Sequence, residues 1–366
     1  MAKIVIDARQ YTTSTGRYTF RLIQYLEKLD SENEYVVLLK PNDMNVYEFT
    51  NPRFTKLACP HKEFTVDEQV GLLKQVKSLN ADLVHFAIVQ QPIRYRGRHI
   101  TTIHDLTTAR FKNPAKNNLV FTVKQQVYKW VIRQAVRKSQ HIITISNFVK
   151  SDIVAFTGVD PQKLTVTYEA ADAITDAPEP IEELQDKPFL LYVGRPTPHK
   201  NLERLIEAHQ QIRRWQPELL LVLAGKKDAN YQRIEAEVTA RNLSGIVFTD
   251  FISEGQLRWL YEHCAAYVFP SLSEGFGLPG LEAMVHGAPV VASNATCLPE
   301  IYGPAAHYFD PLNINAMSTA INDVLTNEEL RNDLIQEGKV QAAKYSWQRM
   351  AEQTLGVYTQ VLNAPK

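Results

Sequence analysis

The sequence predicts an α/β protein of two domains, each built on a doubly wound parallel sheet. Ten short apolar runs recur along the 366 residues with helical stretches between them, and most of these runs lack polar alternation. Strands of that kind are covered on both faces, as in parallel sheets. An acidic, proline-containing segment separates the first five runs from the last five. The length also favours two domains over one.

Composition excludes several classes of protein. Hydrophobic residues make up 45% of the chain, enough for two buried cores, and the formal net charge of zero gives no sign of a nucleic-acid partner. Three scattered cysteines without a C-x-x-C pair predict reduced thiols and a cytoplasmic protein. We see no signal peptide and no apolar stretch near the ~20 residues of a spanning helix. Association with the inner face of a membrane stays open.

The first domain is predicted to span residues 1–175. Its apolar runs are 3–7, 35–39, 81–86, 99–105 and 141–146. In open α/β sheets, ligands bind beyond the carboxyl ends of the strands. Residues that directly follow these runs are therefore the candidate site residues of this domain.

Two such positions stand out in the first domain. A loop after Asp7 carries Gly16, where the backbone of a ligand-binding turn can approach closely. His104 and Asp105 lie at the end of the fourth run. A lone histidine at a strand end is most often a structural residue with satisfied hydrogen bonds, and the residues alone do not decide between that and a ligand contact.

A concentrated basic zone follows. The stretch between Asp105 and Asp152 contains nine basic residues and no acidic one. Within it, a helical pattern places Val120, Val123, Val127 and Val131 on one face and the basic residues nearly opposite. A core-packed helix with a solvated basic face and a surface for anionic lipid or a phosphate-bearing acceptor are both compatible with this pattern. The candidate acceptor or membrane residues are Lys112, Lys116, Lys129, Arg133 and Arg137.

A linker at 176–187 is predicted to lead into the second domain, 188–345. The apolar runs of that domain are 189–194, 219–225, 245–250, 266–271 and 289–293. The chain closes with an amphipathic helix within 346–366, which we expect to cross back to the first domain.

The loop after the first run of the second domain carries two cations. Arg195 and Lys200 lie between a strand end and a helix for which Asn201 is the predicted N-cap. A planar guanidinium and a compact ammonium together suit a diphosphate. Two solvated surface cations are the alternative.

The segment "SEGFGLPG" at 273–280 matches the dinucleotide fingerprint G-x-G-x-x-G. Its phosphate-binding helix start would fit that interpretation, and Glu300 lies where a ribose carboxylate is expected. Three features oppose it. Glu274 would repel a pyrophosphate, and Pro279 lies in the segment that should pack tightly against the strand. The motif also follows the fourth strand of its domain rather than the first. We therefore predict that the match is accidental.

Glu274 and Glu282 flank the same glycines with seven residues between them. Carboxylates accept hydrogen bonds from two hydroxyls at once, which suits sugar and ribose rings. With the upstream "GR…HKN", this segment resembles the retaining nucleotide-sugar glycosyltransferases of family 4, and the resemblance covers nearly the whole chain. It implies the GT-B fold, in which two Rossmann-like domains face a cleft.

The resemblance implies a role for each matching residue. Glu274 and His104 would contact the transferred sugar, Glu282 would bind the ribose, and Arg195 and Lys200 would neutralise the diphosphate. The remaining donor-binding residues would be Gly16, Gly225, Phe251, Ile252, Phe276, Gly277 and Leu278, with Phe251 and Ile252 near the base. The first loop departs from the family pattern, since Ser14 stands where a glycine is common.

The expected activity is transfer of a hexose from a nucleotide-diphosphate sugar to a glycan or lipid-linked acceptor, with retention and without a metal or other cofactor. The "DAR…GRYT" opening and "IHDL" resemble bacterial mannosyltransferases of surface polysaccharide assembly, which favours GDP-mannose over a UDP-sugar. The alternatives are a UDP-glucose or UDP-N-acetylglucosamine transferase, an epimerase or phosphorylase, and a non-catalytic binder.

Overall fold

The computed structural model describes residues 1–13, 16–111 and 118–365, and for 118–123 it describes the backbone alone. Within the described residues the chain forms two compact units. The first comprises Met1–Ala109, Thr122–Glu169 and Ser346–Lys366; the second comprises Arg110–Phe121 and Ala170–Tyr345. Each contains a parallel sheet with helices, so the predicted fold class is confirmed.

The described strands of the first unit form a seven-stranded sheet in the order β3-β2-β1-β4-β5-β6-β7, with every pairing parallel. The strands are β1 (Lys3–Asp7), β2 (Glu34–Leu39), β3 (Phe54–Ala58), β4 (Leu83–Phe86), β5 (His99–Ile103), β6 (His141–Thr144) and β7 (Leu164–Val166). The helices are α1 (Gly16–Leu29), α2 (Leu73–Ser78), α3 (Thr107–Arg110), α4 (Asn118–Lys138), α5 (Asn147–Thr157) and, after the second unit, α13 (Trp347–Asn363). The last residue of α3 and the first four residues of α4 group with the second unit.

The second unit carries a six-stranded sheet among its described residues, in the order β10-β9-β8-β11-β12-β13, again wholly parallel. The strands are β8 (Phe189–Val193), β9 (Leu220–Ala224), β10 (Ile246–Asp250), β11 (Ala266–Phe269), β12 (Val290–Ser293) and β13 (Ala306–Phe309). The helices are α6 (Leu202–Ile212), α7 (Ala229–Ala240), α8 (Glu254–His263), α9 (Leu278–Val285), α10 (Leu298–Tyr302), α11 (Ile314–Thr326) and α12 (Glu328–Ala342).

All ten predicted strands are present, and their apolar residues explain why. Ile4, Val5 and Ile6 of β1, and Leu190 and Leu191 of β8, are fully buried, as expected for central strands covered on both faces. The sequence analysis missed β3, β7 and β13. Each of these is an edge strand of its sheet.

The last helix belongs to the first unit. α13 packs on α1, and its Tyr358 hydroxyl lies 2.7 Å from Nδ1 of the buried His85 in β4. Arg98 donates to the carbonyl oxygens of Leu362 and Ala364, at 2.7 and 2.9 Å, which secures the end of the helix.

The segment predicted as a linker, 176–187, forms specific contacts within the second unit. The Glu179 amide donates to the Gly255 carbonyl at 3.0 Å, and the Ser253 hydroxyl donates to the Glu179 carboxylate at 2.7 Å. Leu184 is buried, although most of the segment is exposed.

Cys59, Cys264 and Cys297 are free and buried. Of the helices in the described part of the chain, none is both long enough and apolar enough to span a bilayer.

Candidate active site

Asn201 joins three loops at the carboxyl edge of the second sheet. Its side-chain amide donates to the carbonyl oxygens of Pro270 and Pro311, at 3.0 and 2.8 Å. Asn201 is the N-cap residue of α6, as predicted, but it has a φ of 61° and makes no side-chain capping bond. Its amide instead ties the loop after β8 to the loops after β11 and β13.

Lys200 and Glu274 meet where these loops come together. The Lys200 ammonium lies 2.5 Å from Oε1 of Glu274, and the side chains are only 17% and 12% exposed. The ammonium also lies 5.2 Å from the centre of the Phe269 ring. Sequence reasoning placed these two residues on different parts of a ligand and did not anticipate their direct contact.

The backbone of Glu274 is fixed as well. Its amide donates to the Thr296 hydroxyl at 3.1 Å, and its carbonyl accepts a hydrogen bond from the Cys297 thiol at 3.3 Å. The carboxylate is thus held in place by its own backbone and by Lys200. Such an arrangement presents a preorganised acceptor to a polyhydroxyl ligand.

Arg195 lies in the same loop as Lys200 and its side chain is exposed. The loop passes very close to the end of β9, because a Cβ atom on Gly225 would lie 2.5 Å from the Gly194 carbonyl oxygen. Gly225 has a φ of 157°, a conformation that side chains rarely adopt. The predicted loop residues Arg195, Lys200 and Gly225 therefore lie on strand ends of one sheet edge.

The glycines of "GFGLPG" have a packing explanation. The Tyr302 hydroxyl donates to the Gly277 carbonyl at 2.5 Å, and a Cβ atom on Gly277 would lie 2.5 Å from that hydroxyl. A Cβ atom on Gly280 would come closer still. Tyr302 thus occupies the space that these glycines leave, and this packing explains the glycines without a bound dinucleotide.

The start of α9 brings together the other residues predicted around it. Leu278 is the first residue of the helix and is partly exposed, whereas Phe276 is buried with its ring 5.5 Å from that of Tyr345. Glu282 lies inside the helix, 9% exposed, and accepts a hydrogen bond from the Tyr261 hydroxyl at 3.2 Å. A buried carboxylate in an apolar helix is unusual and marks a functional candidate.

The end of β10 presents an aromatic ring to solvent. Phe251 is 83% exposed and follows Asp250, whose φ is 61° and whose carboxylate accepts a hydrogen bond from the Lys227 amide at 2.8 Å. Ile252 beside it is partly exposed. An exposed ring at a strand end offers a stacking surface for a base.

In the first unit, His104 forms a pair that sequence reasoning missed. Its Nε2 lies 3.1 Å from the Ala87 carbonyl oxygen, and its Nδ1 lies 3.4 Å from Oε1 of the buried Glu169. Both partners are acceptors, so the ring satisfies both when it carries two protons. Burial lowers the pKa of His104, but the hydrogen bond and charge of Glu169 and the Ala87 carbonyl outweigh it, and the pKa is raised.

Glu169 was missed because β7 was missed. The carboxylate follows β7 just as His104 follows β5, and a strand assignment at 164–166 would have placed both at the same sheet edge.

Gly16 is the first residue of α1, and a Cβ atom there would collide with the Gln10 carbonyl oxygen. The close approach predicted at Gly16 is to its own loop. Ser14 lies outside the described residues.

The basic zone is partly engaged in structure. The ammonium groups of Lys138 and Lys150 donate to the Ile93 and Leu164 carbonyl oxygens, at 2.5 and 2.9 Å. Arg133 lies over the Phe156 ring at 4.5 Å, whereas Arg137 is exposed and Lys129 partly so. Lys112 and Lys116 lie outside the described residues.

Among the described side chains of α4, the valine face is not the one that packs into the core. Val127 is 54% exposed, and the side chains of Val120 and Val123 lie outside the described ones. The helix buries Tyr128, Ile132, Ala135 and Val136 instead.

Two family models match almost the whole chain. The one described as "Glycosyl transferases group 1" matches residues 174–341, and the one described as "Glycosyltransferase Family 4" matches residues 15–173.

Curated relatives are similar over most of the chain. The O-antigen chain mannosyltransferase B of Escherichia coli is 28% identical over 71% of this chain and 70% of its own length. The serotype-specific mannosyltransferase WbdA of Escherichia coli is 31% identical over 68% of this chain, which spans only 29% of that longer protein. The alpha-maltose-1-phosphate synthase of Mycobacterium tuberculosis is 29% identical over 74% of each chain.

Among solved structures, the sucrose-phosphate synthase of Thermosynechococcus elongatus superposes over the full length of both chains with a TM-score of 0.81 at 20% identity. At that identity the likeness concerns the fold.

Proposed function

The chain belongs to the glycosyltransferases of group 1 and family 4, and from that premise we propose that it transfers mannose from GDP-mannose to a glycan acceptor in polysaccharide assembly. The observation that carries the proposal is the Lys200–Glu274 pair, 2.5 Å apart, with the exposed Arg195 in the same loop as Lys200. Two cations next to an oriented carboxylate suit a diphosphate joined to a sugar. The mannosyltransferase relatives favour mannose as that sugar.

Each site residue then has a task. Glu274 accepts hydrogen bonds from sugar hydroxyls, while Lys200 and Arg195 stabilise the charge that develops on the departing diphosphate. Glu282 binds the ribose and Phe251 stacks on the base. His104 contributes the positive charge of its doubly protonated ring, which Glu169 favours, because its two ring nitrogens already face Ala87 and Glu169.

We propose that the anomeric configuration is retained and that no metal takes part. The acceptor hydroxyl oxygen bonds to the anomeric carbon on the face from which the carbon–phosphate oxygen bond breaks, and its proton passes to the departing diphosphate. Glu274 is a poor nucleophile because Lys200 already engages its carboxylate. The two loop cations provide the charge compensation that a divalent ion would otherwise supply.

The acceptor is proposed to be a growing glycan on a lipid carrier. The basic residues Lys129 and Arg137 on α4, at least partly exposed, support contact with a phosphate-bearing acceptor or an anionic membrane surface.

Transfer assays with labelled GDP-mannose test the proposal. In excess EDTA, the wild-type protein should transfer mannose to a lipid-linked glycan extract at an undiminished rate. Glu274→Gln removes the charge that positions sugar hydroxyls, and kcat should fall by about 100-fold, in the range typical of one electrostatic contact. Glu337→Gln, an exposed carboxylate on α12, is the matched control and should behave as wild type. Full activity of Glu274→Gln would contradict the assigned role.

A transfer of glucose or N-acetylglucosamine from a UDP-sugar is the second candidate, because alpha-maltose-1-phosphate synthase is about as similar as the mannosyltransferases. The same assay with those donors separates the two. A nucleotide-sugar epimerase would convert its donor without any acceptor, and a binding protein would convert none.

A further inference from the structure

An apolar groove lies in the first unit, between the segment 64–69 and α4. It has a volume of about 310 Å³, and its walls include Phe64, Val66, Ile93, Val127, Trp130 and Val131. Four of these side chains are strongly exposed: Phe64 61%, Val66 79%, Val127 54% and Trp130 48%. A cluster of large exposed apolar residues around a concave surface marks a binding site.

The groove is built on a buried ionic network. Arg9 is fully buried after β1 and pairs with Asp7 at 2.7 Å and with Glu68, on the groove wall, at 3.1 Å. Arg9 also donates to the Gln90 carbonyl at 3.1 Å. This network ties both the 64–69 wall and the 90–93 wall to the end of the sheet, so the shape does not depend on a ligand.

A second set of contacts fixes the rim. Gln69 donates to the Gln91 carbonyl and accepts from the Ile93 amide, both at 3.0 Å. The Phe64 ring, on a residue with a φ of 61°, lies 5.8 Å from that of Tyr128. A bulky residue in that backbone conformation is rare and is held here by its surroundings.

The exposed charge on the lining of the groove is a cation. The lining carboxylate, Glu68, is only 3% exposed and pairs with Arg9, which also pairs with Asp7. Lys124 lines the groove and is exposed, and Lys129 lies on the same helix. An apolar slot with a cationic border suits a molecule that joins a hydrocarbon chain to an anionic group.

The groove also connects with the proposed chemistry. The segment after β4 supplies the Ala87 carbonyl that His104 contacts and, three residues later, Gln90 on the groove wall. A ligand in the groove would therefore lie along the same strand end as His104.

We propose that this groove binds the hydrocarbon chain of a phosphate-bearing lipid, the carrier of the acceptor glycan. The inference deepens and rests on the proposed transferase function. The volume lies at the lower end of the roughly 300–1,000 Å³ of small-molecule sites, which fits the first isoprenoid or acyl segment rather than a whole lipid. A second copy of the chain is a poorer occupant, because it would bring a second set of α4 cations to the same border.

Trp130 provides the readout. Farnesyl phosphate, kept below its critical micelle concentration, should shift the tryptophan emission of the wild-type protein to shorter wavelength and saturate. Trp130→Phe should abolish the shift, although Trp215, Trp259 and Trp347 remain. Farnesol should bind at least tenfold more weakly, and inorganic phosphate should cause no shift.

Val127→Glu places a charge in the groove at an exposed helix position and should weaken farnesyl phosphate binding at least tenfold. Val340→Glu on α12 is the matched control, since Val340 is also helical and 57% exposed, and it should bind as wild type. Absence of a saturable shift, or equal binding by Val127→Glu, would overturn the proposal. So would a dimer in sedimentation that Val127→Glu dissociates while lipid binding is absent.

Titration with GDP and UDP, on the same samples, separates this inference from the proposed function. Nucleotide binding without farnesyl phosphate binding would overturn the groove and leave the transferase proposal standing. Farnesyl phosphate binding without nucleotide binding would support a lipid site and contradict the donor assignment.

Discussion

At the scale of single residues, the site depends on the contact between the Lys200 ammonium and the Glu274 carboxylate. Arg195, Lys200 and Glu274 lie in loops that follow apolar strands, and Glu282 lies in the helix that begins after Glu274. Their pairing was not predictable, since Lys200 and Glu274 are 74 positions apart and meet only because Asn201 ties two loops together.

Glu169 favours the doubly protonated form of His104, and its replacement should change the pH dependence of activity. Glu169 raises the pKa of His104, so Glu169→Gln should lower that pKa toward its ordinary value near 6.5. If the charge of the doubly protonated ring assists transfer, the high-pH limb of the kcat/KM profile should move to lower pH. Activity should therefore fall more at pH 8 than at pH 6.

A purely structural Glu169 would give a different pattern. Loss of activity would then be equal at all pH values, and the limb would not move. Glu337→Gln serves again as the exposed control and should preserve the wild-type profile.

At the scale of elements, α9 shows why a motif match can mislead. Its glycines accommodate Tyr302, which lies over 20 positions further along the chain, and no local pattern reveals such a partner. Glu274 was the informative departure from the fingerprint, because a carboxylate conflicts with a pyrophosphate at a helix start.

Gly280→Ala tests the packing against Tyr302. The added methyl group would collide with the Tyr302 hydroxyl, so the free energy of unfolding should fall by about 2 kcal/mol and nucleotide affinity should fall with it. Gly356→Ala on α13 is the matched control: it meets nothing within 4 Å. It should stabilise the protein by about 0.5–1 kcal/mol. Urea denaturation measures both, and a neutral Gly280→Ala would contradict the account of this helix.

The orientation of α4 could not be decided from the sequence for a related reason. Two of its faces are apolar, the valine face and the face of Tyr128, Ile132 and Val136, and periodicity alone cannot say which one meets the sheet. The exposed valine turned out to belong to the groove.

At the scale of the whole molecule, the two-sheet architecture was predictable and its edges were not. Central strands are buried on both faces and read as continuous apolar runs. The missed strands β3, β7 and β13 lie at sheet edges, where partial exposure admits polar residues such as Thr55, Lys56 and His307. Among the described strands, only the edge strand β10 was recognised despite its position.

Buried histidines predict a loss of stability in acid. Burial lowers the pKa of His209 to about 4, despite its contact with the Leu219 carbonyl. Below pH 6.5 the unfolded chain binds a proton that the folded chain does not, so this stability is present above pH 6.5 and lost as the pH falls toward 4. Between pH 7 and pH 5 the loss should be about 2 kcal/mol.

His209→Gln should remove that portion of the pH dependence, measured by urea denaturation at both pH values. Leu334→Ala, which creates a cavity at a buried, non-titrating position, should lower stability by a similar amount at both. If His209→Gln retains the full wild-type pH dependence, His209 is not the group responsible.

The central claim is that the second unit binds a nucleotide diphosphate through Arg195, Lys200 and Glu282, and calorimetric titration with GDP, UDP, ADP and NAD in EDTA tests it most directly. GDP should bind, Lys200→Ala should weaken that binding at least tenfold, and NAD should give no heat. Binding of NAD alone would mean that the glycines of "GFGLPG" hold a dinucleotide after all. If none of the four ligands binds, the assignment of the donor site is contradicted.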